Sequence, residues 1–121
     1  MHDRQVPRAE WFNFFREFSQ RHEDWPATVR VLSPRLGCQV EARDLPLEGI
    51  VAGRTGRGPI SIHMGRDPKR HIEHEVEKPL QVWVELADDG VEEALDIESE
   101  DGTKTLVIFR PETVADVLRR A

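Results

Sequence analysis

The chain has 121 residues, of which 38% are hydrophobic and 33% charged, and its formal net charge is −6. This length and composition predict one soluble domain over residues 1–121, with a core at about 5–110, that folds without metal or disulfide support. The single cysteine, Cys38, excludes an intramolecular disulfide framework and a multi-cysteine zinc cluster. No apolar run approaches membrane-spanning length, and no hydrophobic segment follows Met1-His2-Asp3-Arg4, so we expect a cytoplasmic protein without a signal peptide.

The first predicted element is an N-terminal helix. Pro7 suits a first helical turn, and Glu10 in that turn is favourable for the helix dipole. Because Trp25-Pro26 cannot continue a helix, we expect it to end near His22. Five large aromatic residues recur at helical spacing and predict that this helix covers the core: Trp11, Phe12, Phe14, Phe15 and Phe18.

From Ala27 onward the hydrophobic period changes to two, which is typical of half-buried strands. The predicted strands are Thr28–Leu32, Cys38–Ala42, Leu47–Gly53, Ile60–Met64, Arg70–Glu77, Leu80–Leu86, Ala94–Ser99 and Lys104–Phe109. Turn residues with positive or fixed φ separate them. The pattern predicts an α+β fold: an N-terminal aromatic helix packed on a mainly antiparallel meander of about seven to eight strands, either strongly bent or closed as a small barrel.

The turn at Asp101-Gly102 allows a prediction of strand register. A two-residue hairpin turn at this position pairs Ile97 with Leu106. It also pairs Leu95 with Ile108, so that both apolar pairs lie on one face of the sheet.

The last predicted element is a short C-terminal helix at residues 111–120. Pro111 lies in its first turn, and Arg119-Arg120 suit its C-terminal end. Its apolar side chains share one face: Val114, Val117 and Leu118.

The run His71–Glu77 contains two histidines and three carboxylates, as metal sites and acid–base sites do. The same residues alternate strictly between polar and apolar, and β-branched residues and flanking prolines favour a strand. A strand places His71 and His74 on opposite faces, so one ion is not easily chelated by both. We therefore expect His74 at the edge of the core, and the helical zincin spacing H-E-x-x-H is absent.

A metal site can still form across a hairpin. Matching the apolar faces of the strands at 60–64 and 70–77 places His63 opposite His71, with Glu73 on the same face. Two imidazoles and a carboxylate are suitable ligands for a divalent ion. His63, His71 and Glu73 are therefore candidate metal ligands, and a solvated polar face is the alternative.

Other candidate sites have weaker signals. The Gly53–Pro59 segment has the composition of a phosphate-binding loop, but it precedes a strand rather than a helix, so a flexible hairpin loop is expected. Cys38 has no base at a diagnostic spacing and is expected to be a buried structural thiol. No catalytic motif and no cofactor motif is present, so we predict no catalytic residue and no cofactor.

Charge and aromatic residues suggest what partners are possible. Residues 1–70 have a net charge of +3 and residues 71–121 have −9, so nucleic acid is not an expected partner. A basic protein partner or head-to-tail self-association is compatible with this polarity, as is a merely solvated acidic face. Trp25 is a candidate contact residue, and Phe12 or Phe15 is expected to remain partly exposed because one narrow helix face cannot bury all five aromatics.

Three sequence segments are distinctive: Trp11 to Trp25, with its Phe14-Phe15, Phe18-Ser19 and Arg21-His22-Glu23 groups; Gln39 to Ile50; and Ala94 to Thr103. On these segments the chain resembles a family of small uncharacterised bacterial proteins, domain of unknown function family 5335. The resemblance spans roughly residues 5–110, and Pro111–Ala121 is expected to be an extension beyond it. It implies no activity, substrate or cofactor for any residue.

Three functions remain open. The sequence favours a non-enzymatic binding or protein-interaction module with an acidic sheet face that has a protein partner or self-associates, without nucleic acid or membrane. The alternative is a metal- or small-ligand-binding protein that uses the His63, His71 and Glu73 cluster. A hydrolase with an unrecognised site is the least supported.

Overall fold

One helix and eight strands make up residues 2–109, which are the residues that the computed structural model describes. The N-terminal elements are β1 (His2–Val6), a 3₁₀ turn (Arg8–Glu10) and α1 (Trp11–Arg21). The remaining strands are β2 (Pro26–Ser33), β3 (Gly37–Val51), β4 (Ile60–Met64), β5 (Ile72–Val76), β6 (Pro79–Leu86), β7 (Glu92–Ser99) and β8 (Lys104–Ile108). The predicted C-terminal helix at 111–120 lies outside the described residues.

Helix α1 ends where the sequence predicts and covers the core with one stripe. Trp11, Phe15 and Phe18, spaced by four and three residues, are at most 1% exposed. The indole Nε1 of Trp11 donates a hydrogen bond to the Val6 carbonyl oxygen at 2.9 Å, which ties the helix to β1. The helical spacing that predicts the aromatic helix is thus confirmed.

The eight strands form one antiparallel sheet in the order β1-β6-β7-β8-β2-β3-β4-β5. β5 is one edge strand and β6 lies next to the other edge, yet only Glu77 and Lys78 connect them. Three Cα steps reach at most about 11 Å, so the sheet must curl until these parts nearly meet. The predicted antiparallel sheet of about eight strands is confirmed, and the barrel alternative is wrong because β1 and β5 do not pair. The sheet is not a simple meander, since β1 pairs with β6 and β2 pairs with β8.

The side chain of Arg8 links the β3–β4 loop to the start of β6. Its guanidinium donates to the carbonyl oxygens of Gly56, at 2.6 Å, and Pro79, at 3.0 Å. The same guanidinium lies 4.4 Å from the centre of the Trp11 ring. One charged group thereby satisfies a carbonyl in the β3–β4 loop and another at the start of β6, before the residues that pair with β1.

Two strand predictions are corrected. β1 was not predicted, because His2–Val6 is nearly all polar, but it pairs with β6 at the edge of the sheet. The predicted strands 38–42 and 47–53 are one long strand, β3, which passes through the expected turn at Asp44-Leu45-Pro46. Asp44 has φ 51°, and pairing with β2 ends at Pro46, so the turn residues bend β3 instead of ending it.

The predicted register of the β7–β8 hairpin is wrong by one residue. Ile97 faces Thr105 and Asp96 faces Leu106, so Thr105 is buried and Leu106 is turned to the outer face. The cause is the turn, in which Ser99 N–H donates to the Thr103 carbonyl at 2.9 Å. The loop therefore has three residues, with Gly102 at φ 87°, rather than two.

The core lies on the inner face of the bent sheet. Its largest buried strand side chains include Leu47, Ile60, Ile62, Met64, Leu95 and Ile97, packed with Phe109 against α1. Cys38 is exposed on β3, so its prediction as a buried thiol is wrong. The polar functional groups considered next therefore stand on the outer face of this sheet or at its rim.

Candidate metal centre

The hairpin of β4 and β5 presents His63 and Glu73 side by side. They are directly opposite each other in the register, and their neighbouring pair, Met64 and Ile72, has its side chains on the other face. The predicted alignment of His63 with His71 is therefore displaced by two residues. Since the side-chain period of a strand is two, this displacement leaves every predicted face unchanged.

His71 lies just before β5 and is oriented by two acceptors. Its Nδ1 is 3.2 Å from the Gly65 carbonyl oxygen and 3.3 Å from a carboxylate oxygen of Glu48. Both atoms can accept a hydrogen bond from Nδ1–H, which leaves Nε2 free as a ligand. A histidine whose second nitrogen donates to a carboxylate or carbonyl is the usual arrangement at protein metal centres.

The loop between β4 and β5 sets the position of His71. Gly65 has φ 84°, a conformation that L side chains rarely adopt, and a Cβ there would collide with the Arg70 carbonyl group. Asp67 holds the rest of the loop, because its carbonyl accepts from Arg70 N–H at 2.8 Å and its side chain accepts from Lys69 N–H at 3.0 Å. The sequence signal for this tight loop is the Gly65–Pro68 turn segment.

One possible ligand atom from each of His63, His71 and Glu73 lies within 4.8 Å of the others. In a tetrahedral zinc site the ligand atoms are roughly 3.4 Å apart, given metal–ligand bonds of about 2.1 Å. The ligand atoms must therefore approach one another by about 1 Å. Since its Nδ1 contacts hold the His71 ring, this adjustment falls mainly on exposed Glu73 and half-buried His63.

The surroundings of this His–His–Glu cluster are acidic and open. Glu48 is 53% exposed, and Glu75 lies on the same face as Glu73, opposite Ser61. Beside His71 is a cleft of about 710 Å³ that is also lined by Glu48, Gly65 and Arg66. Exposed carboxylates attract a cation and remain hydrated themselves.

Arg66, which lines the cleft beside His71, is already paired with two carboxylates. Its guanidinium bonds to Glu23 at 2.6 Å and also contacts the Asp24 carboxylate. The hydrogen bond to Glu23, and then the charge of Asp24, hold the pKa of Arg66 above its ordinary value. The positive charge of Arg66 is therefore offset by these two carboxylates.

The predicted contact aromatics have different environments. Trp25 is 38% exposed, with its ring edge-to-face against buried His22 at 4.6 Å between centroids. Phe12 is half-buried beneath two arginine side chains. Phe15 is fully buried, so the expectation that it offers a surface contact is corrected.

The outer face of the sheet also has a partly buried carboxylate, Asp96, that is not among the residues predicted from the sequence. Asp96 on β7 faces outward, and burial, followed by the charge of Glu98, raises the pKa of its carboxyl group. Its Oδ1 is buried and has no hydrogen-bond partner among residues 2–109. The alternation of β7 would have found it, since Asp96 and Glu98 are two residues apart on one strand.

Fold and site together define an α+β protein with one N-terminal helix, an open antiparallel sheet of eight strands in its described part, and a His–His–Glu cluster on the outer face. The chain belongs to the Family of unknown function (DUF5335), whose model matches residues 2–118. The match reaches past residue 110, so the expectation that 111–121 is an extension beyond the family is wrong for all but its last residues. No curated protein and no solved structure matches the chain, and within residues 2–109 no helix is long and apolar enough to cross a membrane.

Proposed function

We propose that the protein is a non-enzymatic binding module that takes up a divalent transition-metal ion through His63, His71 and Glu73. The observation that carries the proposal is the convergence of one ligand atom from each of the three residues within 4.8 Å on the β4–β5 hairpin. Two neutral imidazoles and one carboxylate suit Zn²⁺ and Ni²⁺ better than Mg²⁺ or Ca²⁺, which prefer all-oxygen sites.

The orientation of His71 supports the same proposal. Glu48 and the Gly65 carbonyl fix the ring through Nδ1, so less side-chain freedom is lost when the ion binds. Glu73 and His63 are set by direct cross-strand pairing. Three protein ligands leave a fourth position for water or for a donor from a partner.

A binding role is favoured over hydrolysis because the cluster is not enclosed. Next to His71 the side chains of Glu48 and Arg66 are each more than half exposed, so water has free access to a bound ion. Metal-dependent hydrolases hold the substrate in a shaped site that excludes bulk water. An open site suits capture, storage or bridging of an ion.

The test is a thermal-shift titration with Zn²⁺, Ni²⁺ and Mg²⁺ on the full chain and on matched variants. A ligand that binds only the folded state stabilises it by about 2.7 kcal/mol at a concentration of 100 times Kd. We expect Zn²⁺ and Ni²⁺ to raise Tm, and His63→Ala and Glu73→Gln to abolish the rise. Each variant is compared with its own metal-free Tm.

Two controls separate the cluster from general surface charge. His74→Gln removes the histidine on the opposite face of β5, and Glu75→Gln removes a carboxylate on the same face one pair away. Both should keep the metal-induced shift. No shift at excess Zn²⁺, or an equal loss in all four variants, would refute the proposal.

A second candidate is self-association through the acidic outer face, and the unpartnered Oδ1 of Asp96 favours it. Burial, and then the charges of Glu98, Glu85 and Asp3, raise the pKa of this carboxyl group, and Lys104 opposes them only in part, so a further cation from a second copy would relieve the repulsion. Residues 1–70, with a net charge of +3, contain the basic residues that a second copy would offer. Light scattering over a concentration series at low and high salt tests this, and a monomer under every condition would eliminate it.

A further inference from the structure

An apolar cleft separates the outer side of α1 from the last residues of β3. Its volume is about 270 Å³, and Phe12, Ser19 and the β3 residues 49–52 line it. Val51, in this lining, is 56% exposed. The cleft therefore presents apolar surface to solvent beside the helix.

Two hydrogen bonds join α1 to β3 at the floor of the cleft. The hydroxyl of Ser19 accepts from Ile50 N–H at 2.8 Å and donates to the Ile50 carbonyl at 3.2 Å, so helix and strand are joined directly below it. Gly49 leaves the floor open: a Cβ there would meet Ser19 at 3.8 Å, an ordinary contact distance. The space at Gly49 is thus available to a ligand and not required by the fold.

Two arginine side chains, Arg16 and Arg54, lie against the Phe12 ring at the rim of the cleft. The guanidinium carbons of Arg54 and Arg16 lie 4.7 Å and 5.9 Å from the centre of the Phe12 ring. Neither arginine forms an ion pair with a carboxylate among residues 2–109. Two uncompensated guanidiniums beside apolar surface are complementary to an anion that has an apolar part.

We propose that this cleft binds a small carboxylate that carries an aryl or branched alkyl group. The apolar group packs on Val51, on the β3 backbone at Gly49 and Ile50 and on the Phe12 edge, and the carboxylate accepts hydrogen bonds from Arg16 and Arg54. At about 30 Å³ per water molecule the cleft holds roughly nine waters, which limits the ligand to a fragment of about ten non-hydrogen atoms. None of these residues belongs to the His–His–Glu cluster, so the proposal stands or falls independently of metal binding.

The experiment is a titration of the full, metal-free chain with phenylacetate, followed in the backbone amide NMR spectrum. Phenylacetamide, which has the same shape without the charge, is the matched ligand control. We expect saturable shifts at Phe12, Ser19, Ile50 and Val51 with phenylacetate. Binding of the amide should be about tenfold weaker, the usual effect of losing one charge-assisted hydrogen-bond pair.

Variants decide whether the cleft itself is responsible. Arg16→Gln and Arg54→Gln should each weaken phenylacetate binding about five- to tenfold, whereas Arg35→Gln, at an exposed turn between β2 and β3, removes the same charge elsewhere and should change nothing. Gly49→Ala, which fits without strain, should weaken the acid and the amide alike. Equal binding of acid and amide, equal effects of Arg35→Gln and Arg16→Gln, or no saturable shift at millimolar ligand would each overturn the proposal.

Discussion

Removal of the Ser19 hydroxyl tests how strongly the hydrogen bonds between α1 and β3 stabilise the fold. Pairing of β3 with β2 ends at Pro46, so beyond this point one edge of β3 has no strand neighbour. The hydroxyl of Ser19 occupies that edge and bonds to both the N–H and the C=O of Ile50. Ser19→Ala therefore leaves two partly buried backbone groups unpaired.

The magnitude follows from these two contacts. An unsatisfied buried backbone group costs about 1–3 kcal/mol, and because the two hydrogen bonds to Ser19 are only partly buried, each group lies at the lower end of this range. Alanine returns about 0.5 kcal/mol through its higher helix propensity. We expect the free energy of unfolding to fall by about 1–2 kcal/mol, which lowers Tm by about 4–10 °C for a domain of this size.

The assay is urea denaturation followed by tryptophan fluorescence, with an unchanged m-value as the sign of an intact fold. Ser19→Thr keeps the hydroxyl and should retain most of the stability. Gln20→Ala changes an exposed neighbour on the same helix and should stay within about 0.5 kcal/mol. The hydrogen bonds of the Ser19 hydroxyl would not stabilise the fold if Ser19→Ala were no more destabilising than Gln20→Ala, or if the Ile50 amide kept its hydrogen-exchange protection.

Three further predictions follow from single side chains. Gly65→Ala forces a Cβ against Arg70 at positive φ, so it should destabilise the fold by about 1–3 kcal/mol and abolish the Zn²⁺-induced rise in Tm, as thermal-shift titration would show. Phe15→Ala should cost about 3–5 kcal/mol in urea denaturation, because this side chain is fully buried and not a partner contact, and a loss below 1 kcal/mol would contradict that placement. Burial raises the pKa of Asp96, so the folded protein binds a proton that the unfolded chain has lost, and stability falls as the pH rises from 3.8 through the raised pKa. Asp96→Asn should therefore stabilise the protein at neutral pH and have little effect below pH 3.8, as thermal denaturation across this pH range would show.

The sequence predicts correctly the elements that are determined by residues close together along the chain. The aromatic spacing of Trp11, Phe15 and Phe18 fixes both the helix and its buried face. The alternation in Ile60–Met64 gives β4 its observed limits. In both elements the hydrophobic period and the flanking turn residues indicate the same limits, so contacts with residues distant in the sequence are not needed to predict them.

Elements that depend on distant partners were not predictable in this way. β1 has the composition of a polar tail and becomes a strand only because β6 presents an unpaired edge to it. Asp44 and Pro46 have turn character, yet β3 continues through them because β2 pairs on one side before the bend and β4 on the other side after it. Glu48 reaches His71 for the same reason, since an irregularity between Leu47 and Gly49 lies at this bend.

The two register errors have opposite consequences for function, and strand geometry explains the difference. At β4–β5 the prediction is displaced by two residues, which preserves the faces, so His63, His71 and Glu73 still come together. At β7–β8 it is displaced by one residue, which exchanges the faces, so Leu106 turns outward and Thr105 is buried. Leu106, Val107 and Ile108 make this part of β8 apolar on both faces, so its pattern cannot reveal the error. The polar alternation in β5, by contrast, restricts the pairing to shifts of an even number of residues. A candidate site built from alternating strands therefore tolerates an error in pairing of two residues, and its residues can be proposed from sequence even where their direct partners cannot.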